Sequence, residues 1–382
     1  MRKHSHPGWL LLAAPILAAA DAPAPAGGAH GAAPMDAQRA RADELVGQVA
    51  LDRAPAGLDP VLWKHQQPKQ ALPKPEVVAL GEKLYFEAAL SKDGTVACAT
   101  CHDSTRSFTD RRNVSEGVAD QLGRRNAPTT MNAVLLGSQF WDGRAADLTE
   151  QAKQPVLNPV EMAQPDEAAA LKSLQAAGYG PEFQKVFGRA MTYDDVATAI
   201  ASYETTLVFL DAPYDAFLAG DAGAIDAAAQ RGFALFEGKG RCTACHQINA
   251  TNPLGTDNRF HNVGVSARTQ NFEGLVAEAL TALDADPSMK KLDELAVGTN
   301  LSELGRFMVT RNRADIGSFR TPQLRNVGIT GPYMHDGSMQ TLWDVMDHYN
   351  KGGEVNPWLD GGIEPLALSD AEIDDLVAFL FP

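Results

Sequence analysis

The sequence has little of what defines several protein classes. Its 382 residues include only four cysteines, too few for a domain held together by a disulfide framework. Beyond the first 20 residues, no stretch reaches the ~18 uninterrupted apolar residues of a membrane-spanning helix. No run of alternating apolar and polar residues predicts a β-sheet. Histidine is absent from the long stretch between His102 and His246.

Basic residues are in the minority. The chain has 33 lysines and arginines against 48 aspartates and glutamates, which gives a formal net charge of -15 at pH 7. An acidic surface repels nucleic acid and anionic lipid, and it favours a partner that presents a basic face. Solubility alone explains the same charge equally well.

All four cysteines lie in two copies of the pattern C-x-x-C-H, at 98–102 and 242–246. In this pattern the two thiols add across the vinyl groups of one haem, and the adjacent histidine, here His102 or His246, coordinates the iron. Zinc is the alternative, because such a cluster also resembles a metal site. Each motif supplies only three ligands, however, and the histidine follows the second cysteine too closely to complete a tetrahedron comfortably. We predict two c-type haems, attached at Cys98, Cys101, Cys242 and Cys245.

The first 20 residues have the parts of a secretory signal peptide. Arg2 and Lys3 give a basic start, residues 9–19 are almost wholly apolar, and the alanines up to Ala20 form an A-x-A cleavage site. Haem is attached to these motifs outside the bacterial cytoplasm. We therefore expect a periplasmic protein, cleaved near Ala20, with no membrane attachment after cleavage.

The coarse pattern predicts a mainly α fold of two cytochrome c-type haem domains with long loops. The length fits two domains, and a faint repeat precedes the two motifs, at 81–86 and 232–236. Capping boxes predict helices that begin after Thr192 and after Ser369. In the first of these helices the apolar stripe extends to Leu207. The predicted organisation is a signal peptide at 1–20, a disordered leader at 21–35, an N-terminal extension at 36–76, a first haem domain at 77–211 and a second at 212–382.

Seven short segments between and after the haem motifs form a further pattern. They are RRNAPT at 124–129, FWDGR at 140–144, EQA at 150–152, NPVEM at 158–162, FHNVG at 260–264, RTPQLRN at 320–326 and PYMHDG at 332–337. Together with the haem motifs they resemble the bacterial dihaem cytochrome c peroxidase superfamily, in its MauG-like branch. The resemblance covers roughly residues 76–382 and leaves 36–75 without a role.

The resemblance implies roles for four residues around the first haem, which would be the peroxide-reactive one. Glu161 would be the distal acid or base, Gln151 would orient the bound oxygens, and Pro155 would line the same pocket. Trp141 would relay electrons between the haems. From the residues alone, a solvated loop carboxylate, a helix-surface glutamine and a buried core tryptophan remain open interpretations.

A calcium site is also implied by the resemblance. Asn126 would provide a side-chain ligand, and the backbone carbonyls of Thr330 and Pro332 would complete the protein's share. Calcium accepts oxygen donors in irregular geometry, so such a mixed set suits it. A capping asparagine in a turn is the alternative for Asn126.

Two departures from the common peroxidase pattern concern access to the irons. The family loop that often supplies a histidine to close the first iron reads SEGVAD here, at 115–120, so we expect an open first haem that needs no prior reduction. The sixth ligand of the second haem, commonly methionine, falls on Tyr349, whose phenolate would favour high iron oxidation states. Met346 and His348 remain alternative ligands, and Tyr349 also fits an ordinary apolar helix stripe.

These features predict a dihaem peroxidase that reacts with hydrogen peroxide and oxidises a protein partner. Hydrogen peroxide detoxification, with electrons from a small cytochrome c or cupredoxin, is the first alternative. A dihaem electron carrier without catalysis is the second, and it would need both irons closed by strong ligands. Gly240 stands where the MauG-like pattern has a surface tryptophan for electron hopping, so a protein substrate would be reached by another route.

Overall fold

The computed structural model describes residues 33–46, 60–61, 64, 73–249, 252–268 and 271–381. The predicted signal peptide and residues 21–32 of the predicted leader lie outside the described residues. Within the described ranges, none of the helices combines the length and the apolar character needed to cross a membrane.

The described residues are mainly helical, as predicted. A single antiparallel pair, β1 (Phe260–His261) with β2 (Phe319–Arg320), is the sheet found in these ranges. Short 3-10 turns occupy Ala88–Leu90, Ser104–Arg106, Val118–Asp120, Ala133–Leu135, Ser266–Arg268, Asn300–Leu304, Arg313–Asp315 and Val327–Ile329. The α-helices are α1 (Met35–Leu45), α2 (Pro75–Tyr85), α3 (Cys98–Cys101), α4 (Leu148–Leu157), α5 (Glu167–Ala176), α6 (Gly180–Phe187), α7 (Tyr193–Glu204), α8 (Pro213–Leu218), α9 (Ala227–Glu237), α10 (Thr243–His246), α11 (Phe272–Ala285), α12 (Met289–Gly298), α13 (Phe307–Thr310), α14 (Leu342–Lys351) and α15 (Asp370–Leu380).

The first haem module is built on the crossing of α2 and α7. Leu80 and Leu84 of α2 are buried in a cluster that also contains the apolar face of α7. At the crossing, an ideal Cβ on Gly81 would lie 1.8 Å from the carbonyl oxygen of Ala199. Only glycine permits helices to approach this closely. The predicted capping box opens α7, but the helix ends at Glu204, and Leu207 is buried beyond its end.

The second haem module repeats this arrangement with α9 and α15. An ideal Cβ on Gly232 would lie 1.9 Å from the carbonyl oxygen of Asp375. The capping box predicted from Ser369 and Glu372 opens α15, and the side chains of Ile373 and Leu376 enter the core. The repeat seen in the sequence therefore marks the same helix in both modules.

The N-terminal extension adds α1 to the first module. Ser104 Oγ donates a hydrogen bond to the carbonyl of Gln38, on α1, at 2.5 Å. Just before the helix, the backbone nitrogen of Ala33 donates to Asp103 Oδ2 at 3.0 Å. Because Asp103 and Ser104 directly follow His102, α1 packs on the turn behind the first C-x-x-C-H motif.

Loops of the two predicted domains interlock around the centre of the molecule. The backbone nitrogen of Arg320 donates to the carbonyl of Trp141 at 2.7 Å, and that of Asn126 donates to the carbonyl of His335 at 2.9 Å. The loops after the first motif are thus fixed by residues near the end of the chain.

Candidate functional site

A cavity of about 510 Å³ lies between the two modules. Both C-x-x-C-H motifs line this cavity, and they belong to different parts of the chain. Its lining includes every residue for which the sequence predicted a role: Cys98, Cys101, His102, Asn126, Trp141, Gln151, Pro155, Glu161, Cys242, Cys245, His246, Thr330, Pro332 and Tyr349.

The first motif forms the short helix α3, which His102 terminates. The phenol of Tyr85 donates to the backbone carbonyl of His102 at 2.9 Å and fixes this end. Burial lowers the pKa of His102 to about 4, against the effect of the nearby Phe108 and Pro128 carbonyls. A neutral imidazole is the form that binds iron, so the environment of His102 suits a ligand.

The second motif forms α10, which contains His246. Nδ1 of His246 lies 2.8 Å from the carbonyl oxygen of Gly255, and burial lowers the pKa of the ring. A hydrogen bond at Nδ1 fixes the ring and leaves Nε2 to bind a metal. This is the orientation that an axial haem ligand needs.

The zinc alternative finds no support in either motif. Within the described part of the chain, the one group of three metal-binding side chains that comes together is Cys245, Asp257 and His261. That group leaves out His246 and takes only one cysteine of its motif. The side chains of neither C-x-x-C-H motif converge on a common point, as the spacing argument anticipated.

Glu161 lies in the loop after α4 and faces the first motif. Its Oε2 is buried without a hydrogen-bond partner. Burial, and then the negative charge of Asp293, raise the pKa of Glu161 to about 8, while Arg144 acts in the opposite direction. Such a carboxyl holds or releases a proton near neutral pH, as a general acid or base must. The burial of Oε2 does not agree with a fully solvated loop carboxylate.

The loop at 115–120, which the sequence marked as lacking a histidine, packs on the backbone of Glu161. The backbone nitrogen of Val118 donates to the carbonyl of Glu161 at 2.9 Å. An ideal Cβ on Gly117 would lie 1.9 Å from the carbonyl oxygen of Val160, so glycine is required for this contact. In this chain the loop supports the Glu161 segment.

Gln151 and Pro155 lie four residues apart on α4 and share the helix face that lines the cavity. Asp147 caps the helix by accepting a hydrogen bond from the backbone nitrogen of Glu150 at 2.9 Å. Pro155 sits inside the helix, and its carbonyl accepts from the backbone nitrogen of Met162 at 3.2 Å. The helix and the Glu161 loop are therefore joined at Pro155.

Trp141 lies on the wall shared by the two motifs. Its indole nitrogen donates to the carbonyl of Asn126 at 2.9 Å, and its own carbonyl accepts from Arg320 as described above. The residue is half-buried; the first module fixes its ring and the second module its backbone. This location agrees with both interpretations of Trp141, as a relay and as a packed core residue.

Tyr349 on α14 lies beside the second motif. Burial raises the pKa of its phenol, and so do the neighbouring sulfurs of Cys245 and Cys242. Among the alternative ligands, His348 Nε2 lies 2.8 Å from the carbonyl oxygen of Val263, and its ring is not part of the cavity wall. Met346 does reach the wall, from within the apolar cluster of the second module.

Asn126, Thr330 and Pro332 line the cavity together. The side-chain nitrogen of Asn126 donates to the carbonyl of Arg112 at 2.9 Å. The side-chain oxygen of Asn126 therefore points away from that carbonyl. The residue is 6% exposed. The Asn126 loop is joined to the loop that contains Thr330 and Pro332 by the hydrogen bond from the Asn126 backbone nitrogen to the His335 carbonyl. An amide oxygen with backbone carbonyls is the type of donor set that calcium accepts.

The cavity wall carries polar atoms that the sequence did not single out. Oε2 of Glu204 and Nη1 of Arg320 are buried there without a hydrogen-bond partner, as are Nδ1 of His102 and Oε2 of Glu161. Burial raises the pKa of Glu204 to about 8. Such unpaired atoms are rare in protein interiors. Their concentration in one cavity, which the cysteines and histidines of both motifs also line, fits a haem, because a haem has an iron and polar propionates.

A sequence signal existed for Glu204 but not for Arg320. Glu204 follows Ile200 by four residues and therefore falls on the apolar stripe of α7, where a carboxylate is unexpected. The position of Arg320 depends on the pairing of β1 with β2, which two-residue strands do not reveal in a sequence.

Comparison with known proteins agrees with this geometry. Residues 75–223 match the family model described as di-haem cytochrome c peroxidase. The methylamine utilization protein MauG of Methylorubrum extorquens is 36% identical over 309 residues, which are 80% of this chain and 77% of that protein. The cytochrome-c peroxidase IdrP1 of a Pseudomonas species (strain SCT) is 32% identical over 331 residues, which are 85% of this chain and 84% of that protein.

The fold has a similar counterpart among solved structures. The crystal structure of the diheme peroxidase BthA from Burkholderia thailandensis superposes with a TM-score of 0.66 at 25% identity, and the match covers 86% of this chain and 89% of that chain. The similarity therefore extends over both modules.

Proposed function

Because this chain belongs to the di-haem cytochrome c peroxidase family, a family of c-type haem enzymes that act on hydrogen peroxide, we propose that it uses peroxide to oxidise a protein partner. The first site would react with hydrogen peroxide, and the second would share the oxidising equivalents, as in the MauG-like branch. One observation carries the proposal. The buried carboxyl of Glu161 and the phenol of Tyr349 line one cavity, each beside a different haem motif.

The haem held by Cys98, Cys101 and His102 supplies, when bound, an iron that accepts the oxygens of peroxide and gives up electrons to them. Reduction of hydrogen peroxide to two waters takes up two electrons, which the oxidised partner would supply, and two protons. Cleavage of the O–O bond also requires that a proton move from one oxygen to the other. Glu161 is the group we assign to that transfer, because its buried and unpaired carboxyl has a pKa near neutrality. Gln151 and Pro155 would orient the oxygens and exclude bulk water from the same pocket.

Trp141 is proposed as the relay between the two haem sites. Its position on the shared wall, and its attachment to Asn126 and Arg320, would fix the ring between the two groups. A tryptophan held in this way shortens each electron step, since one long transfer becomes two shorter ones.

Tyr349 is proposed as a further protein ligand of the haem that Cys242, Cys245 and His246 would hold. A phenolate is a hard anionic donor, so it would favour a high oxidation state of the iron and lower its reduction potential. The alternative ligand His348 faces the Val263 carbonyl, which supports the choice of Tyr349. We also propose that Asn126, with the Thr330 and Pro332 carbonyls, binds calcium at the junction of the two modules.

Peroxide detoxification remains the second candidate function, because the curated relatives carry both MauG and peroxidase names. That function would use electrons from a small cytochrome c or cupredoxin, and a reducible second haem would serve it better. The proposed location is the periplasm, on the strength of the signal-like residues 1–20 and the covalent haem motifs.

The test combines one reaction with one substitution. Diferric holoprotein is mixed with one equivalent of hydrogen peroxide, and the Soret bands are followed with and without a reduced small cytochrome c. A two-electron oxidised state that persists and turns over slowly supports protein oxidation, whereas rapid steady turnover with the reduced donor supports detoxification. An unchanged Soret band would overturn both functions and leave an electron carrier.

Tyr349→Phe then asks whether the second site stores oxidising equivalents. We expect an altered spectrum of the second haem and a short-lived oxidised state. Tyr333→Phe is the matched control, because Tyr333 lines the same module's part of the cavity but its phenol donates to the Val327 carbonyl. A wild-type spectrum in Tyr349→Phe would remove Tyr349 from the mechanism.

A further inference from the structure

The loop that carries Glu161 is tied to a helix that follows it by more than 100 residues. Asn158 accepts a hydrogen bond from the backbone nitrogen of Val160 at 2.9 Å. Its side-chain amide donates to Asp293 Oδ2 at 2.6 Å and to the Asp293 carbonyl at 3.3 Å. Asn158 is 1% exposed and Asp293 is 3% exposed. The segment that presents Glu161 therefore depends on α12.

Asp293 also belongs to a buried cluster of charges. Arg144 donates to Asp293 Oδ1 through Nη2 at 2.7 Å and through Nε at 3.0 Å. Nη1 of Arg144 lies 3.0 Å from both carboxylate oxygens of Asp142, and the guanidinium stacks on Phe140 at 3.5 Å. Asp142 also interacts with the charges of Arg125 and Arg320. Of the two carboxylates, Asp293 is the one whose negative charge acts on Glu161.

We propose that Asp293 is a positioning residue for Glu161: through Asn158 it holds the loop that carries the carboxyl, and with Arg144 it determines the charge that this carboxyl faces. The inference rests on the proposed function only in the role that it gives Glu161. It adds a residue from the second half of the chain, beyond residues 75–223 that match the family model, to the first haem site.

The direction of the charge effect follows from the groups that face Glu161. They are Asp293 from α12, Arg144 from the loop before α4, and the Cys101 sulfur, which haem attachment converts to a neutral thioether. Asp293 raises the pKa of Glu161 and Arg144 lowers it. Replacing Asp293 with asparagine removes the first effect and leaves Arg144 paired with Asp142 alone, so both changes lower the pKa of Glu161.

Two variants separate the roles of charge and position. Asp293→Asn keeps the size of the side chain and an oxygen that accepts from Asn158, while its amide nitrogen replaces the oxygen that accepts from Arg144. We expect the pH midpoint of the peroxide reaction to move down by about one unit. Asn158→Ala cuts the link to the loop without changing any charge, and we expect the rate to fall about tenfold or more with an unchanged midpoint. Asp284→Asn, which removes an exposed partner of Arg311, is the matched control and should match wild type.

The measurement uses holoprotein and two readouts. Stopped-flow absorbance gives the rate of the Soret change after hydrogen peroxide is added, as a function of pH. Infrared spectroscopy titrates the protonated carboxyl band that is lost in Glu161→Gln, and it reports the same midpoint without any turnover. A lower infrared midpoint in Asp293→Asn supports the inference even if peroxide is not the substrate.

Two results would overturn the positioning role. One is a wild-type infrared midpoint in Asp293→Asn, and the other is a wild-type rate in Asn158→Ala. Because the infrared titration needs no substrate, failure of the inference is distinguishable from failure of the proposed peroxidase function.

Discussion

The two haem modules share a scaffold and differ in what lines their sites. In each, an opening helix crosses a closing helix at a glycine, and an ideal Cβ on Gly81 or Gly232 would come within 2 Å of a backbone carbonyl. In each, a C-x-x-C-H motif forms a short helix at the cavity wall. The backbone therefore gives both modules the same way of holding a haem, and the lining residues give each its own chemistry.

The two modules present different buried groups to the cavity. The first presents the buried carboxyls of Glu161 and Glu204, each with an oxygen that has no hydrogen-bond partner. The second presents Tyr349, and its His246 ring is fixed by the Gly255 carbonyl. These are the groups to which we assign proton transfer at the first site and storage of an oxidising equivalent at the second.

The largest expected effect comes from removing the acid–base group of the first site. Glu161→Gln keeps the shape of the side chain and removes its proton chemistry, so we expect the rate of the peroxide reaction to fall by about 10²- to 10⁴-fold. Because burial raises the pKa of Glu161 to about 8, the wild-type rate should rise with pH through that value, as the base form accumulates. Stopped-flow absorbance at several pH values checks both statements.

The control for this variant is Glu150→Gln, on the exposed face of α4, where Glu150 pairs with Lys153 at 2.7 Å. It should react like wild type, and the resting spectra of both variants should be unchanged. A Glu161→Gln protein that still reacts at the wild-type rate would assign the proton transfer to another group, and Glu204 would be the next to examine.

The contrast between the modules was only partly accessible from the sequence. Haem attachment, the helical class and the repeated opening helix follow from short local patterns, because each depends on residues within a few positions of one another. Glu161 and Tyr349 were found through motif resemblance. Asp293 was not, because its importance comes from a contact with Asn158, 135 positions away.

Local patterns also gave the wrong extent for one element. The apolar stripe of α7 was expected to reach Leu207, yet the helix ends at Glu204 and the chain turns. Leu207 is still fully buried, because the backbone after the turn returns it to the core. An apolar period therefore identifies buried residues more reliably than it identifies the end of a helix.

The shared scaffold itself can be tested by one substitution in each module. Gly81→Ala and Gly232→Ala each place a methyl group within 2 Å of a carbonyl oxygen on the facing helix, so the helices must move apart. We expect each to lower the free energy of unfolding by about 1–3 kcal/mol or more, despite the better helix propensity of alanine. Thermal and denaturant unfolding of the holoprotein measure the loss.

Gly361→Ala is the matched control, since no atom lies within 4 Å of its ideal Cβ, and its effect should stay within about 0.5 kcal/mol. Equal losses at Gly81 and Gly232 would sharpen the comparison by showing equivalent crossings. A loss at only one of them would mean that the two modules differ in their scaffold as well as in their lining.

The smallest expected effect concerns the helix that only the N-terminal extension provides. Ser104→Ala removes the hydrogen bond to the Gln38 carbonyl, and we expect a loss of about 1 kcal/mol that is confined to the first module. Hydrogen exchange should show faster exchange in α1 and in the turn after His102, with no change in α14 or α15.

Ser202→Ala is the control, because Ser202 makes a comparable hydrogen bond to the Thr198 carbonyl within α7. This substitution should leave the exchange of α1 unchanged. If α1 keeps its protection in Ser104→Ala, the helix is held by its apolar face alone, and the extension then braces the first haem turn less directly than the hydrogen bonds at Asp103 and Ser104 indicate.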